Sequence, residues 1–347
     1  MYHSQNVRGF KRVDRHKWMS GWRVQSKRTN TIAWGLQETH IDSESAAQEA
    51  ADSWSTNWGA QYSDCHTESS YWSVSADKTG GVAILLDPRK QQVCQRWHPE
   101  LWSKRVIAVI VDSILLVNVY APNDRQERER LFRLMREWPW PQLEVVLFGD
   151  FNCVQSPHLD RLGGLRSGRP ESPELETLLQ ALGLEDAQTL AASAMEDEVP
   201  EPVDYYTFWN ARSASRIDRF YVNTSWTAVV QQVQVQLPVF HSDHQQIILQ
   251  VAVGGPRRNQ RNKTQPVHYP IRTQTPARVH DELSGVNTSG GRTGSQHEDM
   301  GQSGSRLRLK YPSNNEKGNA EGTSIPTENP GSGPHAPADA KEFHTDN

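Results

Sequence analysis

Short apolar segments alternate with polar turns along residues 1–253. Ten of these segments are rich in β-branched residues and mostly bounded by Gly, Pro, Asn or Asp, which is typical of strands. They are 31–37, 81–86, 91–97, 105–111, 113–120, 144–148, 204–208, 216–222, 229–236 and 246–252. Helical periodicity covers 14–27, 43–55, 124–137 and 172–182, with Asp124 and Ser172 as candidate N-caps. The excess of strands predicts an α/β fold in which two β-sheets pack face to face with helices outside.

The composition changes near residue 254. All 12 Trp residues precede this point, and after Pro256 no two apolar or aromatic residues are adjacent. The segment is instead rich in Gly, Ser, Asn, Pro, Thr and charge, so it has too little apolar surface to offset the entropy of ordering. The sequence therefore predicts one domain over 1–253 and a disordered low-complexity tail over 254–347.

Charge is also distributed unevenly. The net charge of −4 does not indicate a polyanion partner, but residues 1–30 carry eight Lys or Arg against the single acid Asp14. Such a patch can bind phosphates, although a solvated helix face is the simpler alternative. An Arg-rich presequence is set aside because the chemical pattern described below begins within this segment.

Cysteine usage and hydropathy bear on the compartment. Cys65, Cys94 and Cys153 lack metal-like spacing, no secretory leader is visible, and no apolar run has the length of a membrane span. We therefore expect a reduced intracellular compartment and no membrane partner. The oligomeric state is left open.

Four carboxylates fall within or beside predicted strands. Glu38 and Asp150 each follow a strand, Asp218 lies inside one, and Asp243 precedes one. Burying a carboxylate is costly unless it is paired or bound to a metal. Each acid alone is more often a turn residue or a structural ion pair, but the set, joined at strand ends by Asn6, Asn152 and His244, favours a functional site. Oxygen-rich clusters of this type suit Mg²⁺ or Mn²⁺ rather than zinc.

Six short motifs follow one another along the domain. They are Asn6-Val7-Arg8-Gly9, Leu36-Gln37-Glu38-Thr39, Asn118-Val119-Tyr120-Ala121-Pro122-Asn123, Gly149-Asp150-Phe151-Asn152, Ser215-Arg216-Ile217-Asp218-Arg219 and Ser242-Asp243-His244. One of them alone would be weak evidence, but the ordered series resembles the endonuclease/exonuclease/phosphatase superfamily. The resemblance implies a four-layered α/β sandwich, with two packed mixed sheets flanked by helices, and a metal-dependent phosphodiesterase activity.

The resemblance also implies a metal ligand set and a phosphate pocket. Glu38 is the expected principal ligand of Mg²⁺, or possibly Mn²⁺, with Asn6 and Asp243 nearby. Tyr120 and Asn123 are expected to line the phosphate pocket. Read singly, Tyr120 could be a tyrosine at the edge of the core, and both asparagines could be plain turn residues.

The same resemblance assigns the reacting groups. Asp150 is expected to accept a proton from the attacking water, which Asn152 holds in place. His244 is expected to contact the scissile phosphate and to be oriented by Asp218, although a lone histidine is more often a satisfied surface residue. Phosphodiester hydrolysis needs a positioned water, a base and positive charge against the developing oxyanion, which these residue types can supply.

Local sequence favours one branch of the superfamily. The short link between Phe208 and Ser215 resembles the endonuclease domain of non-LTR (LINE-type) retrotransposons, whereas abasic-site endonucleases usually carry a longer aromatic-rich loop there. Arg8 stands where abasic-site enzymes usually have Asp or Asn, and we expect it to bind backbone phosphates. The resemblance therefore implies nicking of one strand of duplex DNA, and a nuclear location if the substrate is chromosomal.

Other interpretations remain open, because fold alone does not choose among them. They are a catalytically degenerate relic that binds nucleic acid, an abasic-site endonuclease, and a phosphatase or sphingomyelinase acting on small or lipid substrates. A complete retroelement would continue into a reverse transcriptase, whereas a low-complexity segment follows here, as in a truncated element or a host gene derived from one. Only five residues precede Asn6, so we expect a shortened first strand that weakens the sheet and can misplace this residue.

Overall fold

The computed structural model describes residues 1–59, 62, 68–90, 92–163, 170–193 and 201–252. All of them belong to the first of the chain's two structural units, Met1–Ser289. The tail predicted at 254–347 and Cys65 lie outside the described residues. Among the helices in these ranges, none is long and apolar enough to cross a membrane.

The first large sheet, sheet I, has six strands. In spatial order they are β14 (Val230–Gln236), β15 (Gln246–Val251), β1 (Tyr2–Asn6), β2 (Ala33–Gln37), β4 (Val82–Leu86) and β3 (Ser70–Trp72). The pair β1 and β2 is parallel, and the other neighbouring pairs are antiparallel. The short first strand does not displace Asn6, because β1 is paired on both sides, with β15 and β2.

The second large sheet, sheet II, also has six strands. Their order is β10 (Leu184–Asp186), β13 (Asp218–Asn223), β8 (Glu144–Asp150), β7 (Ile114–Tyr120), β6 (Val106–Val111) and β5 (Cys94–Arg96). Here β7 and β8 form the parallel pair. A small third sheet consists of β11 (Phe208–Trp209), β12 (Ser213–Ser215) and β9 (Arg161–Gly163).

Six α-helices accompany the sheets in the described residues: α1 (Arg12–Arg28), α2 (Glu44–Trp58), α3 (Arg125–Arg136), α4 (Pro157–Asp160), α5 (Pro173–Leu182) and α6 (Ala187–Ser193). Tryptophans of α1 and α2 pack with Trp34 and Leu36 of β2 in one buried cluster. Phe132 of α3 and Leu178 of α5 pack with Val117 of β7 in another. Helices α1, α2, α3 and α5 therefore cover the outer faces of the two sheets, and the four-layered α/β sandwich is confirmed.

A third cluster fills the space between the sheets. It joins Ile84 of β4 to Ile107 of β6 and Phe148 of β8, and all three are fully or almost fully buried. The sheets approach so closely at Gly35 that an added Cβ would lie 2.0 Å from the Phe148 ring. Glycine is required at this position because atomic packing in protein interiors leaves no room for another atom.

Most of the predicted elements are observed. Nine of the ten predicted strands contribute to sheets I and II, and the side chains of Asp124 and Ser172 cap α3 and α5 by accepting from backbone N–H groups. The strand predicted over 204–208 was wrong, because Pro202–Tyr205 forms a 3-10 turn that a proline at its first position favours. The three-residue strands β3, β9, β10 and β12 were missed because they are too short to show alternation.

Candidate functional site

The predicted site residues meet where strands of both sheets end. The parallel strands β1 and β2 end at Asn6 and Gln37, and the parallel strands β7 and β8 end at Tyr120 and Asp150. The antiparallel strand β13 begins at Asp218, directly opposite Asp150. Two strand-end clusters are thereby brought to the same end of the sandwich.

Asn6 connects the two sheets. Its buried side-chain Nδ2 donates to Glu38 Oε1 and to Asp150 Oδ2, both at 3.0 Å. Its Oδ1 accepts from the backbone N–H of Arg8 at 3.0 Å. The Asn6 amide therefore connects the two predicted site carboxylates, Glu38 and Asp150. It also fixes the turn that follows β1.

Asp150 is placed by the glycine before it and the asparagine after it. Gly149 has φ +135°, and an added Cβ would lie 1.9 Å from the carbonyl oxygen of Val119. The backbone N–H of Asn152 donates to Asp150 Oδ1 at 2.9 Å, and the Asn152 amide donates to the Ala121 carbonyl at 2.8 Å. Burial, reinforced by the nearby Asp218 carboxylate, raises the pKa of Asp150, as expected for a desolvated acid.

His244 bridges Asp218 and Asp150. Its Nδ1 lies 2.8 Å from Asp218 Oδ2, and its Nε2 lies 3.8 Å from Asp150 Oδ2. Burial disfavours the charged ring, but Asp218 and Asp150 outweigh that effect and raise the pKa of His244. The ring also packs beside Phe208, at 5.0 Å between centroids.

Arg8 and Asp243 form an ion pair with each other. Arg8 Nη1 lies 2.7 Å from Asp243 Oδ2, and the Arg8 side chain is 64% exposed. The structure therefore places Asp243 beside a guanidinium, a pairing that the sequence did not reveal because 235 positions separate the two residues. Glu38 lies near a different residue, His40, whose Nε2 is 3.8 Å from Glu38 Oε2.

Tyr120 and Asn123 differ in their surroundings. Tyr120 is buried, and burial together with the Glu38 carboxylate raises the pKa of its phenol. Asn123 is exposed, and its carbonyl oxygen accepts from Arg128 Nη1 at 3.1 Å. Tyr120 therefore lies within the cluster, whereas Asn123 lies at its rim and its side chain makes no hydrogen bond to another described site residue.

Two polar residues that support the cluster were not singled out from the sequence. Thr207 is buried, and its Oγ1 accepts from the backbone N–H of Asp218 at 3.1 Å. Ser242 donates from Oγ to the Asn6 carbonyl at 2.7 Å and accepts from the His244 N–H at 3.1 Å. Ser242 stands in one of the six motifs, but nothing in the local sequence distinguishes Thr207 from an ordinary threonine.

The donor atoms fit a divalent cation. Asp150, Asp218 and His244 each offer a ligand atom within 4.8 Å of the others. Asp218 Oδ1 is buried and has no hydrogen-bond partner in the described part of the chain. Carboxylate and amide oxygens around an excess of negative charge suit a hard cation such as Mg²⁺.

Residues 4–247 match the model of the Endonuclease/Exonuclease/phosphatase family. The chain therefore belongs to this family, and the sandwich fold described above is the fold of the family. No curated protein matches the chain by sequence.

Solved structures with the same fold are distant in sequence. An AP endonuclease from Archaeoglobus fulgidus is 16% identical, with a TM-score of 0.50 over 73% of this chain and 99% of that one. The AP endonuclease LMAP from Leishmania major is also 16% identical, with a TM-score of 0.50 over 73% and 87%. The endonuclease domain of TRAS1, a telomere-specific non-LTR retrotransposon, is 15% identical, with a TM-score of 0.46 over 72% and 96%. At this identity the two AP endonucleases share the fold of this chain.

Proposed function

We propose that this protein is a metal-dependent phosphodiesterase that nicks one strand of duplex DNA. The observation that carries the proposal is the contact series Asp218–His244–Asp150. The imidazole is fixed on one carboxylate at 2.8 Å and faces the other at 3.8 Å. A phosphoryl group at this position would meet a base and a cationic donor together.

In this proposal Asp150 accepts the proton of the attacking water. Its raised pKa suits that role, because a general base works best when its pKa lies near the operating pH. Asn152 is held beside Asp150 through its backbone N–H and orients the water. His244 is protonated, and its Nε2 stabilises the charge that develops on the phosphate.

The cation is proposed to bind on the Glu38 side of the cluster. Asp218 Oδ2 and His244 Nδ1 are bonded to each other, and this proposal uses that pair to orient the imidazole, with Glu38, Asn6 and Asp243 as the ligands of the cation. Among the described residues, His40 Nε2 is the one Lys, Arg or His side-chain nitrogen within ion-pair distance of Glu38 Oε2, at 3.8 Å. When bound, Mg²⁺ would withdraw charge from the phosphate oxygens and so lower the barrier to attack.

Duplex DNA is the proposed substrate because exposed basic residues follow the strand end that carries Asn6. Arg8 is exposed beside Asp243, and Lys11 and Arg12 are exposed at the start of α1. Such residues hold backbone phosphates without reading bases, so binding should weaken steeply with salt. An enzyme for small phosphate esters would not need this extended basic surface.

A supercoiled-plasmid nicking assay tests the proposal. We expect nicking with Mg²⁺ or Mn²⁺, none in excess EDTA, and a large loss in the Glu38→Gln protein. The exposed α2 variant Asp52→Asn serves as a matched carboxylate control. Full activity in excess EDTA would remove the metal from the mechanism. DNA binding without cutting by the unaltered protein would instead identify a degenerate nucleic-acid-binding relic.

A further inference from the structure

Arg105 extends a row of site residues across sheet II. Asp218 is opposite Asp150, and Asp150 is opposite Tyr120. The backbone N–H of Tyr120 donates to the Arg105 carbonyl at 2.8 Å, which places Arg105 one strand further along. Because neighbouring strands are about 4.8 Å apart, the Arg105 backbone lies roughly 10 Å from that of Asp150, two strands away.

The Arg105 guanidinium rests on the Tyr120 ring. Its Cζ lies 4.8 Å from the ring centroid, and the residue is half-buried. Within the described part of the chain, the guanidinium makes no ion pair or hydrogen bond; only the Arg105 backbone N–H is bonded locally, to Ser103 Oγ. Stacking on an aromatic face orients a guanidinium while leaving its N–H donors available to a ligand.

Other cations in the neighbouring loops are each paired with a carboxylate. Lys104 pairs with Asp77 and also donates to Thr79. Arg8 lies 2.7 Å from Asp243, and Lys78 lies 3.3 Å from Asp42. Arg105 therefore differs from these three in carrying an oriented charge with no carboxylate partner in the described residues.

We propose that Arg105 binds a backbone phosphate of the substrate that flanks the scissile phosphate on the Tyr120 side. This inference rests on the proposed function, because it requires a polymeric phosphodiester. A planar guanidinium can donate two parallel hydrogen bonds to one phosphate, which fixes the position of the strand without reading its sequence. Arg105 is thus a substrate-positioning residue and does not act on the reacting atoms.

Two substitutions separate charge from packing. Arg105→Met keeps a flexible stem over Tyr120 and removes the charge, whereas Arg105→Lys keeps the charge. Lys104→Met is the matched control, because it removes an adjacent cation that Asp77 already neutralises. Each is made in the full chain with Asp150→Asn to prevent cutting, and duplex DNA affinity is measured by fluorescence anisotropy across a salt series.

We expect Arg105→Met to weaken binding roughly tenfold, the loss of one charged hydrogen-bonded contact. The slope of log affinity against log salt should fall in magnitude by about 0.9, the value for one phosphate contact. Arg105→Lys should keep the slope, and Lys104→Met should leave both quantities close to those of the parent.

Three results would overturn the inference. An unchanged slope in Arg105→Met excludes a phosphate contact. If Arg105→Lys loses as much DNA affinity as Arg105→Met, the residue acts by packing on Tyr120. If Lys104→Met loses as much affinity as Arg105→Met, the effect is one of general charge. If the unaltered protein nicks duplex DNA and any of these three results is obtained, only the Arg105 inference is overturned. Failure of the unaltered protein to nick or bind duplex DNA defeats the proposed function and this inference with it.

Discussion

At the scale of residues, left-handed backbone conformations recur at the candidate site. Of the non-glycine residues with positive φ in the described ranges, four belong to the site region: Arg8, Glu38, His40 and Asn152. Asparagine adopts this conformation readily, but Arg and Glu do so at a cost. Hydrogen bonds hold them there, from the Arg8 N–H to Asn6 Oδ1 and from the Gly9 N–H to the Glu38 carbonyl. Strain of this kind tends to persist where function requires it.

The roles proposed for Asp150 and His244 predict a loss of rate and little loss of binding. Both side chains are buried at the reacting centre and cannot reach distant parts of a duplex. Asp150→Asn and His244→Ala should each lower the single-turnover nicking rate by roughly 10²- to 10⁴-fold. Their DNA affinity by anisotropy should stay close to that of the Asp52→Asn control. A variant that loses binding but keeps its rate per bound duplex would contradict the assignment.

At the scale of elements, a buried charge cluster joins the segments around β13. Arg216 lies 2.9 Å from Asp160 and 2.7 Å from Asp186. Arg219, whose side chain is 1% exposed, lies 2.5 Å from the same two acids. Asp218 lies between these two arginines in the sequence. The cluster therefore fixes the start of β13, and with it the Asp218 side chain that orients His244. Removing one partner of a buried pair typically costs about 3–5 kcal/mol, since a buried charge is left uncompensated.

The charge cluster predicts acid sensitivity. Burial raises the pKa of Asp160, but Arg219 and Arg216 outweigh this effect and hold it below its usual value. Above the ordinary pKa of an aspartate the pairing contributes fully to stability; as the pH falls through and below that value, the unfolded chain takes up the proton first and stability is lost. Urea unfolding between pH 3 and 7 should therefore show that the free energy of unfolding falls more steeply with decreasing pH in the unaltered protein than in Asp160→Asn. Parallel curves would show that Asp160 does not contribute to the acid response.

Elements with a strong local signal could be predicted from the sequence. The cap at Asp124 and the motif acids at strand ends are examples, because their chemistry is visible within a few residues. The Arg216–Asp186 pair and the Arg8–Asp243 pair could not be predicted, because each joins distant parts of the chain. The site as a whole was predictable through the ordered motifs, whereas its electrostatic environment depended on tertiary packing.

The hairpin of β11 and β12 bears on substrate choice. Phe208 pairs with Ser215 and packs beside His244. Trp209 stacks edge-on against Tyr206 at 5.9 Å and donates from Nε1 to the Tyr206 carbonyl. Trp209 is therefore packed against the protein. A flipped-out lesion needs apolar or aromatic walls to replace lost stacking, and this short hairpin offers few.

We accordingly predict no strong preference for abasic DNA. Initial rates on two matched duplexes, one intact and one with a single abasic site, should be similar, and intact DNA should be nicked at loosely preferred sites. A Trp209→Ala variant, compared under the same conditions, should leave the ratio of the two rates unchanged. A preference for the lesion of several hundred-fold would favour a repair enzyme over a retroelement-type endonuclease.

At the scale of the whole molecule, the site depends on how the two sheets are joined. Beneath the site, the buried Gln37 amide of sheet I donates to Asn118 Oδ1 of sheet II at 2.6 Å. Asn118 Nδ2 donates back to the carbonyls of Leu36 and Ala83. Polar groups of this kind are costly to bury without hydrogen-bond partners. Because these hydrogen bonds form in only one arrangement of the two sheets, they fix the position of one sheet relative to the other. Asn6 then completes the connection by bonding Glu38 and Asp150.

The residues named in this junction all lie before Ala252, and we predict that the domain keeps its stability and activity without the tail. The family match ends at residue 247, and β15 is already paired with both β1 and β14. Truncation after Val253 should leave the melting temperature and the nicking rate at moderate salt unchanged. Four basic residues, Arg257, Arg258, Arg261 and Lys263, can add phosphate affinity, so truncation after Val253 should weaken DNA binding at low salt more than truncation after Lys263. A clearly lower melting temperature in either protein would show that the tail packs on the domain and that the domain extends beyond residue 253.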